Sequence, residues 1–372
     1  MDYAKLGRGL HEFMWTFTLR HVIHAIKRNL SEDSFFPELA RKSAARRLAE
    51  NLAWFLRHGE VNSFYNSYGF DVKGLRDQRQ YLPDRKFRIE RYNANLYLRS
   101  PYAVNRVCIL RDKSLFAMYM GAALGRQHIA HEIGVLRADG SLIPSPAEPA
   151  CEAETLTELL LARQEDLFIK KLAGECGAGC YLIKPIPQSH EREVNGSAMK
   201  PEALAQEMLG SEYIIQKRLV QHEQLSLLNP SCVNTVRIIT IINRKTGEPR
   251  IFAHFLRLGI NSVVDNRATG GLAVLIDENG VLRGKGFGHH RVYTEHPVTK
   301  KTFDGFQIPY WPEVQQLVTR AHSALKDIPS IGWDVAITPE GPVLLEGNDD
   351  WELCGVQDTR GGVKARWREF NE

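Results

Sequence analysis

At 372 residues the chain exceeds the usual size of a single domain, so two or three subdomains with substantial cores are expected. A composition of 43% hydrophobic and 25% charged residues is that of an ordinary globular protein and excludes a disordered or fibrous chain. No apolar run approaches the roughly 18 residues of a membrane span, and the N-terminus lacks the uninterrupted apolar core of a signal peptide. The expected location is therefore cytoplasmic. Cys108, Cys151, Cys176, Cys180, Cys232 and Cys354 are scattered, which suits reduced thiols, and Cys176 and Cys180 have no second pair at zinc-ligand spacing. The net charge of +4 is uneven: residues 1 to 111 hold 20 Lys/Arg against 11 Asp/Glu, and the remainder 28 against 33. A basic face of this kind suits an anionic partner or surface, or simply a solvated helix; no nucleic acid is expected.

Residues 9 to 29 place Phe13, Phe17, Val22 and Ile26 at helical spacing. Residues 36 to 58 repeat the pattern with Leu39, Ala45, Leu48, Leu52 and Phe55 before Gly59 stops it. The first hundred residues thus read as mainly helical. Arg41, Lys42, Arg46 and Arg47 fall on one predicted helix, where they could face an anionic acceptor or a partner subunit. Trp15 and its aromatic neighbours suit packing between these helices, or contact with a membrane or partner. Beyond residue 100 strands and helices alternate. Asp112 starts a helix that ends near Gly125, Ile129 to Leu136 reads as a strand, and Leu156 to Arg163 as a helix. Short strands at Leu167 to Lys171 and Tyr181 to Lys184 flank a glycine-rich stretch, and Tyr213 to Lys217 is a further strand. Val233 to Asn243 and Arg250 to Leu258 form a long hairpin, followed by strands near 272 to 277 and 281 to 286 and a helix from Trp311 to Lys326. The pairs His128/His131 and His289/His290 lie on extended chain and are read as neither catalytic nor metal-binding.

The last strands carry the most chemistry. Gly332 to Asn348 reads as a β-hairpin whose Pro339-Glu340-Gly341 suits a three-residue loop, with Pro presetting the turn and Gly supplying the left-handed residue. That loop pairs Thr338 with Pro342 and hence Asp334 with Glu346, whose Cβ atoms would lie about 5 Å apart. Asn348 is on the same face as Glu346. Three oxygen donors at one point suit Mg²⁺ better than Zn²⁺, although the same residues also fit a solvated hairpin end. In Phe168-Ile169-Lys170 a strand enters the loop Gly174-Glu175-Cys176-Gly177-Ala178-Gly179. Glycines let backbone N–H groups approach phosphate oxygens, and Lys170 adds charge; a flexible turn fits these residues equally. No helix follows, so this is neither a P-loop nor a dinucleotide fingerprint.

Taken in order, Lys170 with its Gly-rich hairpin, Tyr213-Ile214-Ile215-Gln216-Lys217-Arg218-Leu219 with Glu223, then Arg237, then Asp334, Glu346 and Asn348 resemble the ATP-grasp superfamily. Val233-Asn234-Thr235-Val236-Arg237, Leu256-Arg257-Leu258-Gly259, Val264-Asp265-Asn266, Gly270-Gly271 and Gly305-Phe306-Gln307-Ile308-Pro309-Tyr310-Trp311 resemble its sugar-transfer-associated group, related to α-L-glutamate ligases. The resemblance covers roughly residues 101 to 350. It implies an α+β ATP-grasp fold, two α+β lobes clasping ATP, here with a mainly helical N-terminal extension. Residues 1–100 would be that extension and 101–372 the ATP-grasp domain, with the Gly-rich lobe and hinge in 101–220 and the Mg²⁺ lobe in 221–372. Lys170 would hold phosphate under Gly177 and Gly179, Gln216, Lys217 and Leu219 would form the adenine hinge, and Glu223 would bind ribose. Asp334, Glu346 and Asn348 would hold Mg²⁺. Asp265 and Asn266 would close near the γ-phosphate.

The sequence also departs from the family pattern. Gln216 stands where many relatives have Glu, and Gly332 where some peptide ligases place a phosphate-binding Arg, so Arg237 or Arg257 would have to supply that charge. The implied reaction is ADP-forming: the γ-phosphoryl activates a carboxylate as an acyl phosphate for attack by an amine, with Lys170, Arg237 and Arg257 neutralising oxygens. The substrate would be an amino acid, peptide or glycan-related small molecule, and self-association is left open. A kinase acting on a sugar or small alcohol, and a non-catalytic ATP-binding module, are the alternatives.

Overall fold

The computed structural model describes residues 19–88, 106–146, 148, 151–174 and 179–371. The chain falls into two compact units. The first takes in the described residues up to 88 together with His290–Val292 and Glu352–Glu369; the second holds residues 106 to 289, 293 to 351 and 370 to 371.

The first unit contains helices α1 (Leu19–Ser31) and α2 (Ala44–His58). Ser43 caps α2 by accepting the Arg46 N–H, and Gly59, at φ 74°, ends it in the left-handed conformation. The second helix therefore starts eight residues later than its periodicity predicts. Leu39, the first residue of that pattern, lies on irregular chain and only mimics helical spacing. Residues 9 to 18 of the first predicted helix, and Trp15 with them, lie outside the described residues. Trp54, Tyr65, Tyr68, Phe70 and Tyr81 pack as an aromatic core. The helix Leu353–Arg360 joins this unit through Gln357, whose side chain accepts the Leu82 N–H at 2.8 Å and donates to the Tyr68 hydroxyl at 3.1 Å.

The four basic residues expected on one helix face are used inside this unit. Arg41 and Lys42 precede α2. Arg41 pairs with Asp71 at 2.9 Å, Lys42 with Glu50 at 2.9 Å, and Arg46 with Glu50 at 3.1 Å, while Arg47 donates to the Leu30 carbonyl at 3.0 Å. Lys42 and Arg47 are buried. Charge reversal at these positions would disrupt packing before it reported on any acceptor.

The second unit is built on two sheets. After α3 (Val107–Arg111) and α4 (Lys113–Leu124) come β1 (Glu132–Leu136), β2 (Leu142–Pro144), α5 (Leu156–Ala162), β3 (Leu167–Lys171), β4 (Cys180–Pro185), β5 (Arg192–Val194), β6 (Ser197–Met199), α6 (Pro201–Met208) and β7 (Tyr213–Lys217). The strands form one antiparallel sheet in the order β2-β1-β7-β3-β4-β5-β6. Leu167, Ile169, Ile183, Tyr213 and Ile215 face Leu156, Leu159 and Leu160 of α5 and Leu204 and Met208 of α6. Alternation turns Phe168, Lys170, Cys180, Ile214 and Gln216 to the opposite face.

The chain continues through α7 (Glu223–Leu228), β8 (Thr235–Ile242), β9 (Pro249–Leu258), β10 (Leu272–Ile276), β11 (Leu282–Phe287), α8 (Trp311–Ser323), β12 (Ser330–Thr338) and β13 (Gly341–Asn348). These strands lie side by side in a second sheet, in the order β11-β10-β9-β8-β12-β13. Val236, Ile238, Leu256, Ile331, Trp333, Val335 and Leu344 pack with α8 and α4 in the largest core cluster. Arg237, Arg257 and Asp334 consequently point from the other face. The strand predicted from Ile129 begins only at Glu132; Ile129 follows a 3₁₀ turn at 126–128 and makes an isolated parallel bridge to Leu344.

Beneath this sheet a buried relay runs from Trp333 Nε1, donating to Thr240 Oγ1 at 2.7 Å, through Thr240 Oγ1 to His322 Nδ1 at 2.6 Å, and from His322 Nε2 to the Ile328 carbonyl at 2.8 Å. Burial pushes the His322 imidazole down to about 4. The unfolded chain, with an ordinary histidine, binds the extra proton between about pH 6.5 and 4. Stability from this group is thus complete above about 6.5 and lost as the pH falls through that window, by about 3 kcal/mol in all. Unfolding midpoints of the wild type should drop across this range and those of His322→Gln much less. Equal slopes in the two proteins would remove His322 from the acid response.

Candidate active site

The hairpin of β12 and β13 pairs Asp334 with Glu346, but by a different route from the one predicted. Thr338 faces Gly341 and Ile337 faces Pro342, so the loop is one residue tighter than expected. The register shifts between Asp334 and Val335, where Val335 faces Leu344 and Asp334 faces Glu346, leaving Leu345 as the extra residue of a β-bulge. The bulge turns Glu346 and Asn348 to the face that carries Asp334. Gly347 points the other way, towards Leu110 and Trp333, where a Cβ would lie 2.8 Å from the Leu110 side chain.

Asp334 also pairs with Arg237 on β8, so Glu346, Asp334 and Arg237 form one row across three strands. Both Arg237 Nε and Arg237 Nη2 donate to the Asp334 carboxylate, the latter at 2.9 Å, and Arg257 Nη1 adds a third bond at 3.0 Å. Burial pushes the Asp334 carboxyl up, but the two guanidiniums outweigh it and hold the group below the usual carboxylate range. Glu346 stands directly across the strand pair from Asp334. Gly332 cannot take the place of a phosphate-binding Arg, because a Cβ there would lie 2.6 Å from that of Trp351. The positive charge stands instead at Arg237 and Arg257.

Asp265, expected at the nucleotide, is consumed by the protein. Its Oδ2 accepts from Thr235 N at 2.8 Å and Thr235 Oγ1 at 2.5 Å, and its Oδ1 pairs with Arg257 at 3.0 Å. It therefore pins the loop between β9 and β10 to the arginine pair. Asn266 closes the same loop, its carbonyl accepting the Gly271 N–H at 3.0 Å. Gly271 has no room for a side chain, since a Cβ would meet the Asp265 carbonyl at 2.5 Å.

Lys170 lies opposite Ile214 and Cys180 in the first sheet and is buried. Burial lowers its pKa; Glu346 and Asp334 of the second sheet act against that, and Lys113 acts with it. These mutual influences bring the lysine and the acidic hairpin into one electrostatic neighbourhood. Lys113 was not recognised in the sequence. It opens α4 behind the Asp112 cap and donates to the carbonyls of Leu172 at 3.3 Å and Gly174 at 2.9 Å, at the mouth of the Gly-rich loop. Its place directly after the cap was the available signal. Gly177 lies outside the described residues, while Gly179 adopts φ 70° beside the Lys171 side chain.

At the end of β7, Gln216 is buried and stands opposite Glu132, another residue the sequence reading missed. Burial raises the Glu132 carboxyl, which accepts from Ser114 Oγ at 3.2 Å. Lys217 pairs with Glu148 at 2.9 Å. Glu148 also meets His131 at 2.6 Å and Arg163 at 3.2 Å, and Lys217 first among these partners holds its carboxyl at about 2. Leu219 is half-buried, and Glu223 is exposed at the first position of α7. The geometry therefore gathers Lys170, Arg237, Arg257, Asp334, Glu346 and Asn348, with Asp265 holding Arg257 and Glu223 standing outside that group.

Two antiparallel sheets, one carrying Lys170 and the other an acidic hairpin, with helices N-terminal to them, make this an α+β protein, and the family match over residues 92–369 makes its fold ATP-grasp. Residues 92–369 match the model of the sugar-transfer associated ATP-grasp family, and the chain belongs to that family. No curated protein matches the sequence. Similar solved structures include N5-carboxyaminoimidazole synthetase from Staphylococcus aureus (9% identity, 66% of this chain and 46% of that one, TM-score 0.38). D-alanyl-alanine synthetase A from Vibrio cholerae O1 biovar eltor is another, at 9% identity over 69% of this chain and 60% of that one, with a TM-score of 0.37. Biotin carboxylase from Campylobacter jejuni matches at 12% identity over 70% of this chain and 47% of its own, with a TM-score of 0.36. The chain thus spans about half the length of the first of these proteins.

Proposed function

We infer that the chain is an ADP-forming carboxylate–amine ligase that binds Mg·ATP in its second unit. The observation that carries this reading is the row Glu346, Asp334 and Arg237 on one sheet with Lys170 of the other sheet in its field. Acids beside fixed cations form a site for a polyphosphate and its metal.

The donor set fits a hard divalent cation. Two carboxyls in contact repel unless a proton or cation lies between them. Among the described residues Glu346 accepts only one long hydrogen bond, from Asn348 Nδ2 at 3.4 Å, and Asn348 Oδ1 accepts none. Glu346, Asn348 and the remaining lone pair of Asp334 would hold Mg²⁺, which supplies charge neutralisation to phosphate oxygens when bound. Lys170 and Lys113 would hold the phosphates from the side of the Gly-rich hairpin, and Gln216 and Leu219 would border the base. Arg237 and Arg257 would neutralise the anionic acceptor and the transferred group.

In that arrangement an acceptor carboxylate oxygen attacks the γ-phosphorus, ADP leaves, and an amine displaces phosphate from the acyl phosphate to form an amide. The family's association with sugar transfer suggests a glycan-related, amino acid or peptide acceptor. Purified protein given Mg·ATP and a panel of acidic sugars, amino acids and peptides with hydroxylamine should release ADP and phosphate and yield a hydroxamate. ADP with a stable phosphoester would replace ligation by kinase action. No ADP release across the panel, with ATP bound, would favour a non-catalytic module.

A further inference from the structure

Helix α2 buries Arg47, Asn51 and Trp54 in the first unit. Its outward face is unusual for a helix in water. Ala45, Leu48, Ala49, Leu52, Ala53 and Leu56 are all exposed and fall within about 140° of arc at 3.6 residues per turn. Leu48 is 40% exposed, Leu52 43% and Leu56 83%, so the stripe grows more open toward the C-terminal end. No polar side chain interrupts it. Arg46 and Arg57 follow along one border, both exposed; Arg46 is paired with Glu50, and Arg57 has no ion-pair partner among the described residues.

Charge decides between the occupants this face could take. The described segments of the first unit, residues 19–88, 290–292 and 352–369, contain 19 Lys/Arg and 11 Asp/Glu, a net charge of +8, whereas the rest of the chain sums to −4. Two copies meeting through this unit would bring like charges together, which opposes self-association. An anionic lipid surface offers what both features require: headgroup charge for the basic unit and an acyl boundary for leucines lying parallel to it. No helix among the described residues is long and apolar enough to cross a membrane, so the contact is peripheral.

We propose that the Leu48-Leu52-Leu56 face of α2 docks the protein on an anionic lipid surface. Each Leu→Glu change at 52 or 56 sets a charge where an apolar side chain would meet the acyl boundary, and should weaken vesicle association about tenfold or more. The full chain should sediment with vesicles of phosphatidylcholine and phosphatidylglycerol in equal parts, and not with phosphatidylcholine alone. Raised salt should weaken the association. Because these leucines are exposed, Leu52→Glu and Leu56→Glu should keep the wild-type circular dichroism and melting temperature. Leu56→Trp provides an independent reading, its emission shifting to the blue on addition of anionic vesicles. Failure to bind anionic vesicles, or binding unchanged in Leu52→Glu and Leu56→Glu, overturns the proposal. So does a concentration-dependent dimer that Leu52→Glu disperses, since that outcome assigns the face to a second copy. None of these readings depends on catalysis, so the proposal stands or falls apart from the ligase reading.

Discussion

Glu346→Gln is expected to lower ATP turnover by on the order of 10²–10³-fold, the usual cost of removing one preorganised charge from a phosphoryl-transfer site. It should leave the melting temperature nearly unchanged. The side chain is half-exposed, its one hydrogen bond among the described residues is long, and it stands across the strand pair from another carboxyl. The Mg²⁺ concentration for half-maximal rate should rise, because one of two charged donors is lost. Turnover and Mg²⁺ dependence equal to the wild type would remove the hairpin from the chemistry.

Asp334→Ala should instead act on stability. Asp334 is buried, and it neutralises Arg237 and Arg257, whose side chains are 13% and 14% exposed. Removing it takes the carboxylate from the enclosed Arg237 and leaves Arg257 its bond to Asp265, and breaking a buried pair in this way costs about 3–5 kcal/mol. Urea unfolding followed by the fluorescence of Trp333 and its neighbours should show a lower midpoint, and Asp334→Asn should fall between, since it keeps an acceptor but no charge. Raised salt should change the difference little, because buried pairs are weakly screened. A midpoint unchanged in Asp334→Ala would mean that the arginines find other partners at no cost. Loss of activity at this position is therefore ambiguous in a way that loss at Glu346 is not.

What the sequence made legible was local. β7 falls on the predicted residues, Tyr213 to Lys217, because Pro- and Gly-free apolar chain bounded by Gly210 and Leu219 has few alternatives. Asp112 caps its helix as expected for a short acidic side chain ahead of an apolar run. The pairing of Asp334 with Glu346 was also within reach, since a hairpin joins neighbours in sequence. Arg237 and Asp334 are 97 residues apart, and only the strand order β9-β8-β12-β13 makes them partners. The use of Asp265 as an internal anchor follows from the same order. Lys113, Glu132 and Glu148 were missed because each acts through an orientation or a sheet neighbour that periodicity does not encode. The early start given to α2 had a different cause: Leu39 matches helical spacing but lies on irregular chain before the Ser43 cap.

The bulge at Leu345 separates the phase of the acidic strand from the length of its turn. A strand that ran without it from the observed pairing of Val335 with Leu344 would set Leu345 across from Asp334 and turn Glu346 toward the apolar layer. The two-residue tip at Pro339 and Glu340 can accordingly change length without moving the acids, which makes it a tolerant place to insert a peptide tag. Deleting Leu345 itself would restore simple alternation and still leave Glu346 beside Asp334. A relative one residue shorter in this strand would therefore keep its chemistry if the missing residue were the counterpart of Leu345, and an alignment gap in this hairpin belongs there.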